Sequence, residues 1–79
     1  VAFITGAAAG IGEATALLFG QLGAKVVAAD RDAAGARDVA ARIEQSGGSA
    51  LALEADMGNL GSVRAAVDAA LARYGRIDI

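Results

Sequence analysis

Three glycines set close together in Thr5-Gly6-Ala7-Ala8-Ala9-Gly10-Ile11-Gly12, and two carboxylates further on, Asp30 and Asp56, are the residues whose types and spacing suit chemistry. Glycine lets a backbone turn sharply and lets a bulky anion come close to it. The segment before Thr5, Val1-Ala2-Phe3-Ile4, has the composition of a strand, and the one after Gly12, Glu13-Ala14-Thr15-Ala16-Leu17-Leu18-Phe19, that of a helix. A helix that begins in such a turn offers unpaired N–H groups and the positive end of its dipole. Phosphate is the natural guest there. A second apolar run, Ala24-Lys25-Val26-Val27-Ala28-Ala29, ends on Asp30. The interval from the glycines is close to the about 20 residues at which dinucleotide folds carry an acid for ribose hydroxyls.

These groups need a scaffold, and the chain supplies one by strict alternation. The pattern predicts strands near 1–5, 25–30 and 49–54, helices near 11–22, 32–46 and 59–74, and a strand stub at 77–79, with no proline to interrupt them. In the first helix, Ile11, Ala14, Leu18 and Leu22 follow helical spacing and are expected to face a sheet, with Gly23 ending the helix in the left-handed region. Gly20 inside it costs about 1 kcal/mol relative to alanine, which reads as a point of close approach to a neighbour. The second helix takes Asp32 as its N-cap and buries Ala36, Val39, Ala40 and Ile43. Arg37, Asp38, Arg42 and Glu44 face water, with Asp38 and Arg42 placed to pair, and Gly47-Gly48 closes the helix. The third takes Asn59 as cap, carries a stripe of Val63, Val67, Ala70, Leu71 and Tyr74, and stops at Gly75. The charges on these helices read as solvated faces that imply no partner.

Connection handedness fixes the topology. Right-handed crossovers put the first two helices on one face of a parallel sheet, and the third helix must return on the other face to reach the far side of strand one. The fold class is therefore α/β, the amino-terminal half of a Rossmann-type doubly wound parallel sheet, with strand order 3-2-1-4 and the stub in fourth place. Ligands in such sheets bind beyond the carboxyl ends of the strands, where the order reverses. The glycine turn falls at that point.

Composition narrows the function classes. With 79 residues, a chain buries only about 60% of its unfolded surface, so the core is expected to be thin. A net charge of −2 with mixed signs points to neither nucleic acid nor an anionic membrane. There is no cysteine for disulfide or thiol chemistry and no histidine to serve as a metal ligand or neutral-pH base. No metal site is expected. No apolar run approaches the roughly 18 residues of a membrane span, and the reading is a soluble cytoplasmic protein. The chain starts without methionine inside one strand pattern and stops inside another. Residues 1–79 are accordingly expected to be a partial dinucleotide-binding Rossmann domain, a piece of a longer polypeptide.

The glycine spacing is G-x-x-x-G-x-G in place of the commoner G-x-G-x-x-G, with Thr5 ahead of it. The string TGAAAGIG resembles the TGxxxGIG cofactor motif of the short-chain dehydrogenases/reductases. Asp30 after the second strand, Asp56-Met57 after the third, and the closing Tyr74-Gly75-Arg76-Ile77-Asp78-Ile79 agree with that family along the whole chain. The resemblance implies hydride transfer between a nicotinamide cofactor and a small carbonyl or alcohol substrate, in an enzyme that is usually a dimer or tetramer. It also implies that an Asn-Asn-Ala-Gly motif, a catalytic serine and a Tyr-x-x-x-Lys pair follow the Asp78-Ile79 equivalent. None of these is among the 79 residues, so no catalytic residue is assigned and the chain alone is expected to be inactive.

Candidate cofactor residues are Thr5, Gly6, Gly10, Ile11, Gly12, Asp30, Arg31, Asp56 and Met57. The glycines would take the pyrophosphate, and the resemblance adds the Ile11 backbone, with the Ile11 side chain given to packing. The Thr5 hydroxyl can tie the turn to nearby backbone, or Thr5 is simply a β-branched strand residue. Glu13 would repel a pyrophosphate and is expected to point away. Asp30 can accept from both adenosine ribose hydroxyls and would repel a 2′-phosphate, which favours NAD over NADP. Arg31 beside it could attract that phosphate, and Asp30 could instead serve as a turn carboxylate. NADP-preferring members of the family often carry a basic residue just before the second glycine, where this chain has Ala9. The resemblance implies that Asp56 accepts from the adenine amino group and that the Met57 N–H reaches a ring nitrogen. From spacing alone Asp56 is equally a loop residue ahead of a helix.

Other residues read as structural. Four residues after Tyr74 stands Asp78 where the family's lysine would be, so Tyr74 is a packing residue. Ser46, Ser49 and Ser62 have no histidine or lysine placed to activate them. Two rival functions stay open at this level: a nucleotide-binding module without chemistry, and an S-adenosylmethionine-dependent methyltransferase, whose glycine loop and acid also hold an adenosine. A P-loop nucleotidase lacks its Gly-Lys-Ser/Thr here.

Overall fold

The computed structural model describes residues 1–79 as a three-stranded parallel sheet with helices on both faces. The elements are β1 (Ala2–Thr5), α1 (Gly10–Gln21), β2 (Lys25–Asp30), α2 (Ala33–Gln45), β3 (Ser49–Glu54) and α3 (Leu60–Tyr74). Strand order is β1-β2-β3, with Thr5 opposite Ala29 and Asp30 opposite Glu54, so all three strands finish along one edge. Residues 77–79 do not form a regular strand. Ile79 nevertheless accepts from the Phe3 N–H (2.7 Å) and donates to the Val1 carbonyl (3.3 Å), the pairing of a parallel neighbour. That pairing puts the segment in the fourth place expected for it.

The strands alternate between two apolar layers. Val26, Ala28 and Ala50 face α1 and α2, where they join Ala16, Val39, Ala40 and Ile43. On the other face Ala29 meets Ala55 and Ala66, with Phe3 and Leu53 against them, beneath α3. The core is thin, and the largest fully buried side chains are Val26, Val27 and Val39. Helix ends follow local chemistry. Asp32 accepts from Gly35 N–H and Asn59 from Ser62 N–H, each at 3.0 Å, while Gly23, Gly47 and Gly75 end their helices at positive φ.

Helix α2 buries Ala36, Val39, Ala40 and Ile43 as its spacing predicts. Helix α1 does not follow its large residues. Ile11, Leu18 and Leu22 are exposed, and so is Ala14; Ala16 is the residue buried in their place. The reason is distance. A Cβ on Gly12 would lie 2.1 Å from the Gly6 carbonyl oxygen, and one on Gly20 would lie 2.8 Å from Ile43 Cγ2. The helix is thus seated on its smallest residues, Gly12, Ala16 and Gly20, with Leu17 and Phe19 partly buried at the sides, and Ile11, Leu18 and Leu22 turn outward. Likewise in α3, Ala66 is buried and Leu71 is exposed.

Arg42 also departs from expectation, being half-buried between α1 and α2. It pairs with Asp38 as the spacing predicts (3.2 Å) and reaches Glu13 of α1 as well (3.3 Å).

Candidate functional site

The strand edge at Thr5, Asp30 and Glu54 opens into a cleft of about 380 Å³ lined by Gly6, Asp30, Arg31, Asp56, Met57 and Gly58. The glycine turn forms one wall. Gly6 (φ +62°) and Gly10 (φ +59°) occupy the left-handed region that favours glycine, and apart from their chain neighbours and the helix's own backbone nothing lies within 4 Å of where a Cβ would stand on either. Between them the chain reverses and enters α1 with Gly12 against the Gly6 carbonyl. Three of the predicted site residues are therefore brought together by the backbone conformation of the turn.

The start of α1 differs from the other two helix starts. Its N-cap position is Ala9, in extended conformation and with no side-chain cap, whereas α2 and α3 are capped by Asp32 and Asn59. The first intrahelical bond runs from Glu13 N–H to the Ala9 carbonyl, which leaves the N–H groups of Gly10, Ile11 and Gly12 without an acceptor in the chain. An anion arriving at this opening would meet bare amides, the dipole's positive end and no obstructing side chain. The Ile11 side chain projects outward, 87% exposed, so only its backbone belongs to the turn.

Asp30 faces this opening. Its Oδ2 accepts from Ala8 N–H at 3.0 Å and its Oδ1 from Asp32 N–H at 2.9 Å. The Asp32 bond, then the Ala8 bond, hold its carboxyl below the ordinary value of 3.8. A carboxylate oxygen takes more than one hydrogen bond, so Asp30 retains acceptor capacity toward the cleft. The tie expected from the Thr5 hydroxyl is not made. Ala7 N–H to the Ala29 carbonyl (3.2 Å) and the Asp30 contact anchor the turn instead.

Across the cleft, Ala55 N–H binds the Asp30 carbonyl (3.0 Å), which carries the sheet's pairing one residue past β3. Asp56 follows, with its Oδ1 accepting from Gly58 N–H (2.9 Å) and its N–H donating to Ser62 Oγ (2.8 Å). Met57 is part-exposed on the rim, and Arg31 is exposed beside Asp30. The cleft thus gathers Gly6, Asp30, Arg31, Asp56 and Met57; Gly10, Ile11 and Gly12 stand at the adjoining helix start, and Thr5 at the end of β1. Glu13 points away from it, toward Arg42.

A larger groove of about 500 Å³, lined by Gly20, Gly23, Lys25, Gly47, Gly48 and Ser49, lies at the amino ends of the strands. That end of a parallel α/β sheet is the one remote from the ligand crevice. Tyr74 is there too. Its hydroxyl is 2.8 Å from Ser49 Oγ, with Lys25 Nζ 5.9 Å and the Arg73 guanidinium 4.7 Å from the ring centre. Lys25 and Ser49 are register partners, a neighbour relation the sequence reading did not anticipate. Tyr74 works as a strap joining the end of α3 to the start of β3. Tyr74→Phe is expected to lower stability by about 1 kcal/mol, the worth of one part-buried hydrogen bond, and to leave nucleotide binding at wild-type strength. Thermal melts together with a nucleotide titration check both halves.

Comparison with known proteins bears on the whole chain. A family model described as short chain dehydrogenase matches residues 1–79. D-threitol dehydrogenase of Mycolicibacterium smegmatis is 43% identical over the full chain, which covers 30% of that protein. 7alpha-hydroxysteroid dehydrogenase of Escherichia coli is 41% identical over 99% of the chain and 31% of its own length. Among solved structures, a 3-ketoacyl-(acyl-carrier-protein) reductase from Brucella melitensis complexed with NADH superposes with a TM-score of 0.90 at 49% identity, over 98% of this chain and 30% of that one. A 7α-hydroxysteroid dehydrogenase complexed with NADH and 7-oxo glycochenodeoxycholic acid gives 0.95 at 40% identity, over 98% and 30%. The chain spans under a third of the length of these relatives.

Proposed function

We propose, since this chain belongs to the short-chain dehydrogenase family, that it forms the NAD(H)-binding part of an oxidoreductase acting on a small carbonyl or alcohol substrate. The parent is a longer polypeptide, and a homo-oligomer, whose remaining residues supply the acid–base groups and the substrate pocket. In this reading the N–H groups of Gly10, Ile11 and Gly12, approached past Gly6 and the end of β1 at Thr5, hold the pyrophosphate. Asp30 accepts from the adenosine ribose hydroxyls, with Arg31 alongside. Asp56 and the Met57 backbone receive the adenine. The bound nicotinamide supplies or accepts a hydride at C4, and the 79 residues bind and orient the other end of the molecule. Asp30, together with Ala9 where a basic residue would suit a phosphate, makes the preference NAD over NADP.

The observation that carries this reading is the pairing of an uncapped helix start with a carboxylate tethered to the same turn by Ala8 N–H. Titration of the intact protein with NADH, followed by displacement with ADP-ribose and with S-adenosylmethionine, tests it. ADP-ribose should displace NADH because it keeps adenosine and diphosphate. Displacement by S-adenosylmethionine and not by ADP-ribose would overturn the assignment in favour of a methyltransferase-like site.

A further inference from the structure

We infer that Arg42 is a positioning residue for the phosphate-binding turn, because it holds the Glu13 carboxylate away from the uncapped start of α1; the inference rests on the cleft being the NADH site. Glu13 is the acidic residue of the first turn of α1, and its own N–H closes the first helical bond onto Ala9. Its side chain therefore leaves the helix about one turn from the open N–H groups of Gly10, Ile11 and Gly12. The field that attracts a phosphate to that opening attracts a carboxylate equally well. Left free, Glu13 would compete for the amides or repel the incoming diphosphate.

Arg42 prevents this from a different element. Its Nη2 lies 3.3 Å from Glu13 Oε1, and its Nε lies 3.2 Å from Asp38 Oδ2 on its own helix. Asp38 thus fixes the guanidinium from one side while Glu13 is drawn to the other. The geometry is that of charges held side by side, for Arg42 Nε is shut off from water and makes no hydrogen bond. Both side chains of the interhelical pair are partly shielded, Arg42 42% and Glu13 33% exposed, so solvent screening is incomplete.

A simple tie between helices predicts that losing either partner is equally harmful. The positioning role predicts opposite signs. In the intact protein at low salt, Arg42→Met should weaken NADH binding about three- to tenfold, the scale of an unneutralised charge several ångströms away at intermediate dielectric. Glu13→Gln should bind NADH as well as wild type or more tightly. The double variant should return to the Glu13→Gln value, since there is then no charge to restrain, and Arg42→Lys should stay near wild type. Raising the salt should shrink the Arg42→Met loss. NADH fluorescence titrations read all four. Weakening by Glu13→Gln, or a double variant as weak as Arg42→Met, overturns the inference; if Arg42→Met fails to fold, the sign of Glu13→Gln decides alone. Wild-type protein that does not bind NADH would instead remove the reading beneath it.

Discussion

Gly12→Ala is expected to lower NADH affinity about ten- to hundredfold, from a steric cost of about 1–3 kcal/mol at about 1.4 kcal/mol per decade. The added Cβ would meet the Gly6 carbonyl oxygen at 2.1 Å and its carbon at 2.7 Å, both main-chain atoms that cannot rotate out of the way. Helix propensity runs the other way, since alanine is better than glycine there by about 0.5–1 kcal/mol. The clash is the larger effect, and relieving it displaces either the turn or the first N–H groups of α1. Gly20→Ala is the matched control. Its Cβ meets the Ile43 side chain at 2.8 Å, which can shift, and the site is at the far end of the helix from the cleft. It should change stability and leave affinity alone. Calorimetric titration of both variants beside their melts separates the outcomes, and a Gly12→Ala protein that binds like wild type would mean that the turn does not hold the diphosphate.

These glycines explain which parts of the molecule could be read beforehand. The turn from Gly6 to Gly12 was legible because its demands are backbone demands, and glycine meets them with least strain at φ +62° and +59°. Helix α2 was legible because Val39 and Ile43 are large and the rest of its stripe is small and regularly spaced, so hydrophobic period and burial coincide. Helix α1 misled because the same period logic follows bulk. Close seating requires an absence of bulk, and Gly12, Ala16 and Gly20 lie on a different face from Ile11, Leu18 and Leu22. Hydrophobic spacing carries no signal for that.

Contacts between elements were hidden for a related reason. The Asp38–Arg42 pair follows from helical spacing, whereas the reach of Arg42 to Glu13 depends on how closely two helices cross. Ser49 and Tyr74 meet across the sheet's amino edge only once register has aligned Ser49 with Lys25. The double tether on Asp30 is similar. Its position at the end of β2 is visible in the sequence, but the Ala8 N–H that it accepts is brought there by the turn it supports. In the proposed reading, sugar and phosphate subsites are thereby linked through one carboxylate.

That linkage shapes the second large effect, on Asp30 itself. Asp30→Asn should cut NADH affinity about tenfold, since hydrogen bonds to a charged group contribute about 1.5–3 kcal/mol and the neutral amide keeps part of that. Asparagine keeps one acceptor oxygen, which can take the Ala8 N–H while the Asp32 N–H bond is given up, so the turn should hold while repulsion of a 2′-phosphate disappears. With Arg31 exposed beside it to receive that phosphate, NADPH should gain as NADH loses. Asp30→Ala removes the tether as well and should weaken both cofactors. The pH dependence follows from the direction of the shift. A carboxyl held below its ordinary value of 3.8 is ionised at neutral pH, and its contribution is lost only as pH falls through the lowered value. The affinity for NADH should therefore be flat from pH 8 to about pH 5, any change in the NADH-to-NADPH ratio over that range coming from the 2′-phosphate, whose second pKa is about 6, and the Asp30→Asn ratio should be displaced toward NADPH throughout. Parallel NADH and NADPH titrations across that range decide it. An unchanged ratio in Asp30→Asn would mean that the carboxylate serves the turn alone, and that the ribose is held by other groups.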